Sequence, residues 1–215
     1  MSKPQDPFAD FDEVIDGLEE IRKYIGDPAP PIVAKVIDHL DPLSREIIEK
    51  SPFMVLASAT ADGYPDISPK GDPAGFVRVL NEKYLAIPDR PGNKRVDTFT
   101  NLLQNPYLAA IFLIPGKAET LRVTGECRIV RDQKLRESMM VNGRVPEFAI
   151  VMHVERVLVH CPKCMLRAKL WQSEAWPDSS NTASVAEALI AHSDLDTTPE
   201  KLEALAEKEG WTQLY

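Results

Sequence analysis

The chain is 215 residues long with a net charge of −8 and a pI of about 5.1, which excludes the basic face that nucleic-acid binding requires. Its apolar content of 44% is enough for a packed core and excludes a disordered chain. No apolar run approaches the roughly 18 residues of a membrane span, and three cysteines in a chain of this length do not make a disulfide framework.

The opening M-S-K-P-Q-D-P-F-A-D-F-D has no apolar stretch after its single lysine. A secretory signal is therefore not expected, and a cytoplasmic location is. Phe11, Val14, Ile15, Leu18, Ile21 and Ile25 then recur at helical spacing with acids between them, until Pro28, Pro30 and Pro31 interrupt the pattern. A second helix is predicted from Pro42 to Lys50, with proline in its first turn. Residues 1–50 thus read as a helical arm, able to cover its own chain or a partner.

From residue 51 to 161 the pattern is β. Phe53–Thr60 is a short apolar run, and Ala61-Asp62-Gly63-Tyr64 carries the Asp-Gly hairpin signal. Strands are predicted at 65–69, 75–80 and 83–88, the last two joined through Leu80-Asn81-Glu82-Lys83. A helix follows over Lys94–Gln104, stopped by Asn105-Pro106. Tyr107–Ile114, Thr120–Val130 and Ala149–His160 are rich in β-branched residues, with a helix near Gln133–Val141 between the last two. Six or seven strands with short turns and one intervening helix favour a barrel over a parallel sheet, a mainly β fold of the α+β class. The tail, 162–215, reads as helices over 162–171, Ala183–Ala191 and 199–209, with Gly210 ending the last.

The positive charge of this acidic chain is concentrated. Lys70, Arg78, Lys83, Arg90, Lys94 and Arg95 stand against only Asp72, Glu82 and Asp89, a local +3. Gly71, Gly75 and Gly92 lie in the same stretch, which ends at the predicted helix start. Bare backbone N–H groups, a helix start and nearby Arg or Lys suit a bound phosphate; the other reading is a solvated basic loop.

Cys161-Pro162-Lys163-Cys164, preceded by His160, has three readings. It is a redox pair, a source of metal ligands with His153 or His160, or two cysteines in ordinary buried or half-buried packing. No second paired motif is present, so no metal site is assigned. His39 and His192 sit among charged helical residues and read as surface side chains.

Several of these stretches match one pattern in order. They are the strand and D-G turn at 53–63, S-P-K-G-D-P-A-G-F-V at 68–77 and I-P-D-R-P-G-N-K-R at 87–95. They continue with N-L-L-Q-N-P at 101–106, E-T-L-R-V-T-G at 119–125 and H-C-x-K-x-x-x-R-x-x-L-W at 160–171. Together they resemble the pyridoxamine 5′-phosphate oxidase-like family of FMN-binding split β-barrels, and within it a bacterial branch of FMN-dependent enzymes. The resemblance covers roughly residues 45–175.

It implies a split β-barrel of six or seven strands and a homodimer with FMN at the subunit interface. By position it implies flavin contacts from Ser68 and Lys70, and phosphate contacts from Ile87, Pro88, Arg90, Asn93, Lys94 and Arg95. Thr120 falls where the oxidase branch places a flavin-contacting glutamine, and Arg122, two residues on, shares its face. Arg167 and Trp171 match an Arg and a Trp that approach the flavin, from the same or the other subunit; four apart on the helix predicted over 162–171, they share a face. Lys70 is the candidate cation for the flavin's N1–C2=O edge; its other reading is a surface lysine paired with Asp72.

The oxidase proper holds its phosphorylated substrate with a Tyr/Arg/Ser set and a C-terminal Arg-x-His, which Trp171-Gln172-Ser173 does not supply. The function implied is therefore an FMN-binding oxidoreductase acting on another small molecule, with NAD(P)H as a candidate donor and no dedicated catalytic acid or base. The alternatives are a flavin-binding or sensing module without turnover, and a relative using deazaflavin or haem. No His or Cys in the phosphate segment offers an axial haem ligand, which favours flavin.

Overall fold

The computed structural model describes residues 6–215. They fall into two compact units, one ending at Val36 and one spanning Ile37–Tyr215.

In the first unit, helix α1 spans Leu18–Ile25 and α2 spans Pro30–Ala34, and neither has a buried residue. The helical spacing that begins at Phe11 yields a helix only from Leu18. Glu13 lies in the left-handed region at φ 55°, and Gly17 precedes the first turn in an extended conformation.

The second unit is built on one antiparallel sheet of seven strands, in the order β2-β1-β5-β6-β7-β4-β3. The strands are β1 Phe53–Ala59, β2 Pro65–Gly71, β3 Arg78–Val79, β4 Tyr84–Pro88, β5 Tyr107–Leu113, β6 Thr120–Val130 and β7 Ala149–His160. The curled sheet does not close, which makes it a split barrel of the α+β class, as the sequence implies.

The strand predicted over 75–80 shrinks to Arg78–Val79. Gly75 adopts φ 83°, and the Phe76 N–H closes a turn on the Pro73 carbonyl, so the chain before Arg78 bends. The Asp-Gly turn forms as expected. Gly63 sits at φ 86°, and the Thr60 N–H bonds the Tyr64 carbonyl.

Alternation along the strands separates two faces. In β1, Met54, Leu56 and Ser58 are buried, while Val55 and Ala57 are half-buried. Paired residues share a face, so Met54 with Phe112, Leu56 with Ala110, and beyond them Leu121 and Val123, form the core side. Phe112, Leu121 and Val123 are fully buried there, with Ile48 of helix α3 (Pro42–Lys50) and Leu102 of helix α4 (Asp97–Gln104) in the same cluster. Burying such side chains contributes about 1.5–3 kcal/mol each. The T-G of the motif at 119–125 has a steric cause. At the β6–β7 register shift between Thr124 and Gly125, a Cβ on Gly125 would lie 1.9 Å from the His153 carbonyl oxygen.

Helix α5 covers Gln133–Ser138 and is shorter than predicted, because Asn142 and Gly143 at positive φ build a tight turn closed by Val141 and Arg144. The tail contains α6 Lys163–Arg167, α7 Val185–Ser193 and α8 Pro199–Lys208. Helix α7 starts at a reciprocal capping box between Ser184 and Glu187.

Candidate functional site

A cleft of about 410 Å³ lies between β2 and the segment that joins β4 to α4. That volume is within the range of about 300–1,000 Å³ usual for ligand sites. Its β2 wall follows from register. Lys70 pairs with Met54, Ser68 with Leu56 and Asp66 with Ser58, so all three side chains stand on the core side of the last strand, where the sheet stops and a trough begins.

The other wall is the loop 89–96 and the first turn of α4. Asn101 anchors that helix: its amide donates 2.9 Å to the Ser58 hydroxyl in a buried contact with β1. Phe99 packs edge-on against Phe148, ring centroids 5.7 Å apart. The helix begins at Asp97 instead of Lys94 because Lys94 and Val96 both take positive φ, 62° and 56°. For a β-branched residue such as Val96 that conformation is rare, and here it turns the backbone into the cleft wall.

Six of the residues singled out in the sequence line this one cleft: Ser68, Lys70, Arg90, Asn93, Lys94 and Arg95. Their charges are differently committed. Arg95 donates Nε to Asp97 at 2.7 Å, and Asn93 caps the Arg95 N–H at 3.0 Å. Arg90 is largely buried; its Nε pairs with Asp72, and its Nη2 donates 2.9 Å to the Met139 carbonyl. The Tyr215 hydroxyl donates to the other oxygen of Asp72. The alternative pairing of Lys70 with Asp72 is thus not formed, because Arg90 and Tyr215 occupy that carboxylate. Lys70 and Lys94 make no ion pair among the described residues. Burial pushes the Asp89 carboxyl upward, with Lys70 and then Arg90 opposing the shift.

The remaining candidates lie elsewhere. Ile87 and Pro88 are buried in β4, paired to Ile150 and Ala149; Ile87 belongs to the main core, and Pro88 lies on the other face of the strand. Thr120 and Arg122 occupy the face of β6 opposite Leu121 and Val123. Arg122 is exposed, and the Thr120 hydroxyl is buried with no hydrogen-bond partner among the described residues. Arg167 is exposed at the end of α6.

Trp171 is not on that helix. Lys169 at φ 49° breaks the chain out of it, and the Trp171 indole donates 2.8 Å to the Lys117 carbonyl in the β5–β6 turn. The shared helical face expected for Arg167 and Trp171 therefore does not exist. The buried packing expected for the cysteine pair is also corrected: Cys161 and Cys164 are exposed, while Cys127 is buried.

Sequence reasoning missed Asp66 and Tyr215 as part of this site, and it placed Asp72 opposite Lys70 instead of Arg90. Asp72 was visible as the acid of S-P-K-G-D-P; nothing in the sequence ties Tyr215 to it.

The family model described as pyridoxamine 5′-phosphate oxidase matches residues 40–161. No curated protein matches the chain. Among solved structures, HupZ of Group A Streptococcus is 21% identical with a TM-score of 0.44, over 53% of this chain and 88% of that one. A putative pyridoxamine 5′-phosphate oxidase from Lactobacillus delbrueckii is 18% identical with a TM-score of 0.46, over 57% and 95%. A pyridoxamine 5′-phosphate oxidase-related, FMN-binding protein of Nostoc punctiforme is 13% identical with a TM-score of 0.41, over 60% and 82%. With the family model spanning more than half its length, the chain belongs to the pyridoxamine 5′-phosphate oxidase-like family of FMN-binding split β-barrels.

Proposed function

We propose that the protein is an FMN-dependent oxidoreductase whose flavin binds in the cleft between β2 and the 89–96 loop, in a homodimer that works in the cytoplasm. The observation that carries this reading is the presence in one cleft of two lysines outside any described ion pair, Lys70 and Lys94, with Ser68 and Asn93.

FMN brings a dianionic phosphate and a flat apolar ring. Lys94, with Asn93 and the backbone of the turned loop, suits the phosphate, and Arg95 adds a guanidinium if Asp97 shares it. Lys70 and Ser68 on β2 suit the ring edge, where a cation stabilises negative charge. When bound, the flavin supplies the hydride and electron chemistry. The chain supplies binding, orientation and charge, and NAD(P)H is the donor we propose.

The homodimer is supported by the distribution of the other candidates. Thr120 and Arg122 stand on the opposite face of the sheet from the cleft and cannot reach it within one chain. That face is also apolar: Val55, Ala57, Ala109 and Ile111 are half-buried, and Ile67 is 68% exposed. A second copy seated on it would cover these side chains and offer the Thr120 hydroxyl, without a partner among the described residues, and Arg122 to the neighbouring cleft.

The purified protein is expected to be yellow and to release FMN, not FAD, when denatured. Anaerobic addition of NADH or NADPH should then bleach the flavin. A colourless protein that takes up no added FMN defeats the proposal. A haem spectrum or selective uptake of a deazaflavin would replace FMN by that cofactor, and stable flavin binding without reduction by any donor would make the protein a binding module.

A further inference from the structure

The exposed pair Cys161 and Cys164 has no part in the function proposed above. Cys161 follows the last residue of β7, and Cys164 lies in the first turn of α6. Between them Pro162 sits at φ −76° and ψ −6°, and Lys163 is the first helical residue. Two consecutive right-handed residues make a turn of the type I kind, which holds its first and fourth Cα atoms within about 7 Å. Disulfides span Cα separations of about 4.4–6.8 Å, so the turn presents its two cysteines at bridging distance. The ring of Pro162 fixes φ and keeps the turn formed.

The surroundings leave the pair to its own chemistry. Both cysteines are exposed and free. Among the described residues no group of three or more His, Cys, Asp or Glu side chains is placed to hold a metal ion, so the pair lacks the further ligands a closed zinc site requires. The third cysteine does not compete. Cys127 is buried, and burial pushes its thiol up to about 12.

We propose that Cys161 and Cys164 form a reversible dithiol–disulfide couple that exchanges with low-molecular-weight disulfides. The thiolate of one cysteine attacks a sulfur of the small disulfide. The reagent's S–S bond breaks, one half leaves as a thiol, and a mixed disulfide remains on the protein. The second cysteine, as thiolate, attacks the protein sulfur of that mixed disulfide and expels the other half. The two protein thiols lose two electrons and two protons, and the small disulfide gains them as two thiols.

The test uses the full chain, equilibrated with mixtures of oxidised and reduced glutathione, then alkylated and weighed intact. In the reduced native protein Cys161 and Cys164 should alkylate and Cys127 should not. After oxidation neither should alkylate, the mass should fall by about 2 Da with no glutathione added, and dithiothreitol should restore both thiols. Cys127 should alkylate in either state only after unfolding. Cys161→Ser and Cys164→Ser should each stop at a single glutathione adduct. Two thiols still open to alkylation under excess oxidised glutathione would overturn the couple, and so would two glutathione adducts on one chain or a disulfide joining two chains. If a serine variant does not fold, the mass and thiol count of the unaltered chain decide the matter alone.

Discussion

Lys83 and Lys94 belong to the same basic segment, and their neighbours give them different work. Lys83 Nζ lies 2.8 Å from both the carboxylate and the backbone carbonyl of Asp38, so its charge is spent on the fold. Lys94 is exposed in the cleft wall without an ion pair among the described residues. A charge-assisted contact to phosphate contributes about 1.5–3 kcal/mol, which is tenfold or more in affinity. Lys94→Ala should therefore weaken FMN binding at least tenfold in a fluorescence-quenching titration, while Lys83→Ala leaves the dissociation constant unchanged. The effect of Lys83→Ala belongs to stability instead. Lys83, and after it His39, holds the Asp38 carboxyl at about 2, below the ordinary 3.8. A depressed carboxylate stabilises the fold above its unfolded value and loses that contribution as pH falls through its folded value. Denaturant melts should show Lys83→Ala less stable than the parent near neutral pH, with the gap closing as pH falls from 3.8 toward about 2. Gly125 is the residue with least room for change. A Cβ there would meet the His153 carbonyl carbon at 2.9 Å as well as its oxygen, and that carbonyl is backbone in a paired strand. Gly125→Ala should cost at least the about 1–3 kcal/mol typical of an overpacked core, read as a lowered urea midpoint.

The strands were the most legible elements. Phe53–Ala59, Thr120–Val130 and Ala149–His160 end within a residue of their predicted limits, because alternation and β-branched content report directly on a half-buried ladder. Helix starts were less legible, and the reason is local backbone conformation. Lys94, Val96 and Lys169 carry side chains that give no warning of positive φ, yet each moves a helix boundary. The cleft itself was legible as a motif: the basic segment and the β2 residues do meet. What could not be read was how its charges are spent, since Arg90 answers to Asp72 and to the Met139 carbonyl, and the same Asp72 accepts from Tyr215 at the other end of the chain. Helix α4 makes the cleft depend on one buried contact. Asn101→Ala removes the donor to the Ser58 hydroxyl, which keeps Asp66 as its other partner, so the loss is that of one hydrogen bond, about 0.5–1.5 kcal/mol. The variant should melt earlier and, since the helix carries the 89–96 loop, bind FMN more weakly; an unchanged midpoint would show that α4 is held by Phe99 and Leu102 alone.

At the scale of the molecule, the sheet has two unlike faces. One holds the core and the cleft residues of β2; the other is an apolar surface that carries Thr120 and Arg122. That division was hidden in the sequence, where Lys70 and Arg122 are simply two basic residues in strands, because a face is a property of register. The dimer proposal is tested on the second face. Ile67 is exposed, so Ile67→Asp should leave the circular dichroism of the chain intact. Light scattering after size exclusion should give a dimer for the parent and a monomer for the variant. A parent that is strictly monomeric while binding FMN would remove the shared site from the proposal.

The end of the sheet at β2 carries a last consequence. Pro65 and Pro69 both lie in this strand, and neither has a backbone N–H. Residues of one parity direct their backbone groups to one side of a strand, so both missing donors fall on the same side. The ladder to β1 runs unbroken from Pro65 to Gly71, which assigns that side to the free edge. A foreign strand approaching there would find carbonyls at both positions and half its alternate donors absent. The chain thus borders its cleft with a strand that resists runaway strand addition, and it can leave that border uncovered in solution without inviting aggregation.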